Sequence, residues 1–68
     1  MTIVDRLNER LAAELDRRGA TGDDAAWMRV GWYSGAIATL EANDRATAED
    51  LDALRRKLDE AFTRMASA

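Results

Sequence analysis

Apolar residues recur at helical spacing in three stretches of this 68-residue chain. In the first, Ile3, Val4, Leu7, Leu11 and Leu15 share one side, while Asp5, Glu9, Arg10, Asp16 and Arg17 fall elsewhere. In the last, Leu51, Leu54, Leu58, Ala61 and Met65 step by three and four, with Phe62 beside them. The opposite side of that stretch carries Asp52 with Arg56 and Glu60 with Arg64, acid first at i,i+4, which predicts two stabilising ion pairs. Both stretches read as outer helices with solvated backs. The middle stretch differs in kind: Val30 to Leu40 contains no charge, and Arg29 alone interrupts the window if it is extended back to Ala25. A helix that is apolar on every side has to be covered on every side.

Thr-x-x-Asp precedes each stretch, at Thr2/Asp5, Thr21/Asp24 and Thr47/Asp50. The threonine oxygen can accept from an early helix N–H, and the acid three residues on can reach back and complement the helix dipole. Gly19 suits a left-handed C-terminal cap, and Asn43 can serve similarly. These signals predict helices over 3–18, 22–42 and 48–66, with no proline to break them. Connections of a few residues make consecutive helices antiparallel neighbours, so the expected fold is all-α, an antiparallel three-helix bundle forming a single domain over 1–68.

At 100° per residue the middle helix resolves into three strips. Ala26, Val30, Tyr33, Ile37 and Leu40 make an ordinary core stripe. Gly31, Ser34, Gly35, Ala38 and Ala42 make a second strip of small residues, with Trp27 at its N-terminal edge. Met28, Trp32, Ala36 and Thr39 make the third. Folding into a bundle satisfies only one of them. Glycine costs about 1 kcal/mol relative to alanine inside a helix, so Gly31 and Gly35 call for an offsetting close approach by another backbone. Two readings account for it. The first or third helix packs tightly over the glycines within the chain, or the middle helix of a second copy crosses them in a two-fold contact. On the second reading the interface comprises Trp27, Met28, Gly31, Trp32, Gly35, Ala38 and Thr39, with the tryptophans as anchors. Arg29 has a structural reading, in which it stacks on Tyr33 at i+4 and snorkels to solvent or pairs with an acid, and a functional one as a partner contact.

Size favours assembly. Domains of this length bury only about 60% of the surface their unfolded chains expose, and with no cysteine and no histidine the sequence offers neither a disulfide nor an ordinary zinc site. A homodimer or higher oligomer is the remaining common route to stability. Thirteen acidic against ten basic residues, net charge -3, disfavour close approach to phosphate backbones and anionic lipid. A helix-turn-helix reading of the last two helices would place Glu49, Asp50 and Asp52 where phosphate contacts are needed, which weakens a nucleic-acid-binding alternative built on a helical hairpin. The uncharged run is too short to span a membrane, and the charges from Asp5 onward argue against a secretory signal, so a cytoplasmic location is expected. No histidine or cysteine is present for acid–base or nucleophilic chemistry, and the acids near helix starts are expected there for capping. No catalytic, metal-binding or cofactor-binding residue is assigned.

Nine arginines against one lysine, fourteen alanines and no proline give a composition that resembles the small helical orphan proteins of high-GC actinobacteria and their phages. That resemblance is one of composition, and it implies a regulatory factor acting on a bacterial target. The expected function is a non-enzymatic interaction module that self-associates through its central helix and binds another protein on the same surface.

Overall fold

The computed structural model describes residues 2–67, in which three helices run α1 (Ile3–Arg18), α2 (Gly22–Asn43) and α3 (Ala48–Ser67). The predicted boundaries lie within one residue of these. The capping signals explain why two helices begin where they do. Thr2 Oγ1 accepts from the Asp5 N–H at 3.1 Å and the Asp5 carboxylate accepts from the Thr2 N–H at 3.2 Å. Thr47 and Asp50 make the same reciprocal pair at 3.1 and 3.4 Å. Thr21 departs from expectation: it occupies the cap position of α2 but its side chain makes no capping bond. Gly22 follows it at φ +57°, and a left-handed first residue takes the threonine hydroxyl out of the geometry that reaches the N–H groups beyond.

The C-terminal ends also divide. Gly19 takes the left-handed cap at φ 62° as predicted, and its N–H donates to the carbonyls of Asp16 and Leu15. At the end of α2 the left-handed residue is Asp44, not Asn43. Asn43 continues the helix instead, and its Nδ2 donates to the Thr39 carbonyl at 2.8 Å, back along the last turn. Aspartate tolerates this conformation better than most residues because its short side chain bonds locally.

Leu11, Tyr33, Leu40 and Leu54 form the buried centre, packed round by residues that include Leu7, Leu15, Trp32, Ile37, Leu51 and Leu58. The predicted core stripe of α2 is therefore the buried one: Ala26, Val30, Tyr33 and Leu40 are all inside, with Ile37 half-buried. Leu54 is the one large side chain with no exposed surface among the described residues. The main packing is between α2 and α3, and α1 lies more lightly against the pair. One polar contact ties α1 down: the Tyr33 hydroxyl donates to Asn8 Oδ1 at 2.6 Å. Burial raises the Tyr33 phenol above its ordinary pKa, and the nearby charge of Arg29 opposes that rise.

The ion pairs of α3 differ from the predicted i,i+4 set. Arg55 pairs with Asp52 at 3.5 Å, Lys57 pairs with Glu60 at 3.8 Å, and Arg56 Nε donates to the Asp52 main-chain carbonyl. Arg55 also reaches Glu41 of α2 at 2.6 Å, so it serves as a cross-helix bridge. Three and four residues are both neighbour spacings on a helix, and the side chain with an additional partner on α2 takes the acid.

Candidate interaction face on the central helix

The side of α2 opposite its core stripe is open. Gly31, Ser34, Gly35, Ala38 and Ala42 are all exposed, and Trp27 at their N-terminal edge is 62% exposed. A Cβ built on Gly31 or Gly35 would meet no atom within 4 Å. Neither glycine therefore accommodates α1 or α3, and the reading in which the chain packs over its own glycines is removed. Both keep ordinary helical backbone, since the positive-φ glycines are Gly19 and Gly22. The cost of two glycines in a helix interior, about 1 kcal/mol each, is left without an intramolecular return.

The third strip behaves differently. Met28, Trp32 and Ala36 are half-buried and Thr39 is exposed. Between this strip and α1 runs an open apolar groove of about 390 Å³, bordered by Leu7, Gly31, Trp32, Gly35, Thr39 and Leu40 among others. Of the seven predicted interface residues, Gly31, Trp32, Gly35 and Thr39 border the groove, Trp27 and Ala38 lie on the exposed strip, and Met28 flanks both. Trp32 packs on the core, and its Nε1 is buried without a hydrogen-bond partner among the described residues. Such an orphan donor costs about 1–3 kcal/mol. The two tryptophans thus have separate jobs. Trp32 forms a wall, and Trp27 is the free ring.

Phe62 is 47% exposed, although its place beside the leucine stripe of α3 suggested core. Its position explains that. Around α3 it lies about 20° from Arg55, and Arg55 bridges to Glu41, which lies about 40° from Trp27 around α2. Both large exposed rings therefore border the same side of the α2–α3 hairpin, the side away from Asn8 and α1. Phe62 joins the apolar face as a residue sequence reading placed elsewhere. The signal was its offset of about 80° from Leu54, enough to carry it to the rim of the stripe.

Arg29 is half-buried beside Tyr33, Lys57, Glu60, Ala61 and Arg64 at a notch of about 90 Å³. Its charge acts on the Tyr33 phenol, in keeping with the structural reading. No helix of the described residues is long and apolar enough to cross a membrane. Among known protein families, curated proteins and solved structures, none matches this chain.

Proposed function

We propose that this chain is a small non-enzymatic interaction module that self-associates through the outer face of α2. The observation that carries the reading is the open Cβ space at Gly31 and Gly35 on a strip bordered by an exposed Trp27. Exposed apolar faces of this kind mark contact surfaces on small domains.

Light scattering at tens of micromolar tests the proposal. The expected mass is at least twice 7.5 kDa, and Gly35→Leu is expected to return it to that of one chain. A single-chain mass for the unaltered protein overturns the reading.

A further inference from the structure

Positive charge collects at one place where α2 meets α3. The notch of about 90 Å³ is bordered by Arg29 and Tyr33 of α2 and by Lys57, Glu60, Ala61 and Arg64 of α3. Three cations against one acid give it a formal charge of +2, in a chain whose net charge is -3. Ala61 is 3% exposed, and its short side chain leaves space that a longer one would fill. Tyr33 is a fixed wall, because its ring is buried and its hydroxyl proton is committed to Asn8. The two helices make the main packing of the fold, so the cations are mounted on rigid elements.

The predicted pairing of Glu60 with Arg64 is not made: Glu60 lies 3.8 Å from Lys57 Nζ instead. Arg64 is left with no carboxylate at ion-pair distance among the described residues, and the same holds for Arg29. The dipole of α3 accounts for a cation in its last turn. It does not account for Arg29, which is half-buried in the first half of α2. A guanidinium stays charged and carries five N–H donors in a rigid fork, and holding one partly out of water without a partner costs stability. A bound anion offsets that cost. The space exceeds several-fold the roughly 10–15 Å³ that one water needs, yet falls well short of the roughly 300–1,000 Å³ of pockets that enclose whole ligands. It therefore suits one charged group. Guanidinium forks grip oxyanions through paired N–H bonds. A formal +2 matches a phosphate monoester, at about −1.5 to −2 near pH 7, better than a carboxylate or a phosphodiester with its single charge. Repulsion from the acidic remainder of the chain is screened beyond about 10 Å at 0.1 M salt, and contact in the notch acts inside that distance.

We infer that the notch binds the phosphate group of a small phosphate monoester, gripped between Arg29 of α2 and Arg64 of α3 with Lys57 beside them. The site is complete within one chain and does not depend on the self-association proposed above.

Inorganic phosphate and glycerol phosphate are titrated into isotope-labelled protein at about pH 7.5, where both are mostly dianionic. Sodium chloride holds the ionic strength constant, and the arginine Nε–Hε resonances are followed by NMR. The expected result is a saturating shift at Arg29 and Arg64 with either ligand, half complete on the order of 1 mM. Acetate and dimethyl phosphate, each with one charge, are expected to bind at least about fivefold more weakly. Arg29→Gln and Arg64→Gln should each weaken glycerol phosphate about tenfold, while Arg45→Gln, at an exposed position outside the notch, leaves it unchanged. Glu60→Gln removes the one acid and frees Lys57, so it should tighten binding several-fold, an effect no structural role for these side chains produces. Arg64 and Glu60 are exposed, so their variants keep the test decisive even if Arg29→Gln fails to fold. Absence of saturation with either phosphate, equal affinity for acetate or the diester, an equal loss in Arg45→Gln, or weaker binding in Glu60→Gln each overturns the site. Binding of inorganic phosphate with exclusion of glycerol phosphate overturns the monoester assignment.

Discussion

Replacing Gly35 by alanine separates what the glycine does in one chain from what it does between chains. Within the chain its Cβ would enter open space and its backbone is helical, so the substitution meets no clash and no strain. The gain is then the difference in helix propensity, about 0.8–1 kcal/mol. A domain of 68 residues unfolds with an entropy on the order of 0.14 kcal/mol per kelvin, so about 1 kcal/mol raises Tm by about 7 °C. Gly31→Ala has the same expected gain for the same reason. Thermal unfolding followed by circular dichroism at sub-micromolar protein, where any self-association is weakest, measures it. Gly35→Leu keeps nearly all of the propensity gain but places a branched side chain on the face through which self-association is proposed. It is expected to raise Tm in dilute solution and to abolish the rise of Tm with concentration that self-association predicts for the unaltered chain. A lower Tm for either alanine variant in dilute solution would refute the reasoning, because it would mean that something in the same chain already lies against the glycines.

Four further outcomes follow from the packing. Leu54→Ala removes the one fully buried large side chain among the described residues and is expected to cost about 2–5 kcal/mol, enough that denaturant titration finds the variant mostly unfolded. Trp32→Phe removes an indole N–H that is buried without a hydrogen-bond partner among the described residues, a gain of about 1–3 kcal/mol that offsets the burial lost with the smaller ring, so the net change in the same titration is expected to be small; a loss as large as that of a full aromatic truncation, about 3–5 kcal/mol, would contradict it. Thr47→Ala breaks a reciprocal cap and is expected to cost about 1 kcal/mol, whereas Thr21→Ala, whose side chain makes no capping bond, should change stability far less; equal losses would contradict the difference between the two helix starts. The raised pKa of Tyr33 means that the folded chain holds its phenolic proton to higher pH than the unfolded chain does. Its contribution is complete below the unfolded value near 10 and is lost as pH rises through the folded value. Stability measured from pH 9 to 12 should therefore fall, and Tyr33→Phe should flatten that fall while losing the bond to Asn8.

The amphipathic helices were legible because their information is local and periodic. Leu11 and Leu54 sit where a 3.6-residue repeat places them, and Thr2, Thr47 and Gly19 signal their helix ends through bonds made within a few residues. Thr21 misled because its neighbour Gly22 adopts a left-handed conformation, which nothing in the Thr-x-x-Asp spacing reports. Arg55 was missed as a bridge because Glu41 lies on another helix, and the rotation of α3 against α2 is set by packing. The same rotation decides Phe62. A stripe read from one helix has a centre, but its width depends on how many neighbours cover it, and α3 has its main contact with α2 alone. The strips of α2 were readable in outline. Which of them stayed uncovered required knowing that α1 reaches toward the Trp32 side and leaves the glycine side bare.

The two tryptophans show how a small chain can divide the requirements of folding and association along one helix. Trp32 is committed inward: it supports the core and walls the groove beside α1, even with its N–H unbonded. Trp27, five residues earlier, is turned about 140° away around the helix, contributes little to the interior, and keeps its ring in water. In a domain with a single fully buried leucine, every large side chain withheld from the core is a substantial loss of stabilising burial, because a ring of this size can cover about 150–250 Å². A face that combines such a withheld ring with two helix-weakening glycines lowers the stability of the isolated chain twice over. Both losses are recovered together only when another surface lies close against α2. Concentration should therefore act on this protein as a folding variable, with the exposed face of α2 as the place where it acts.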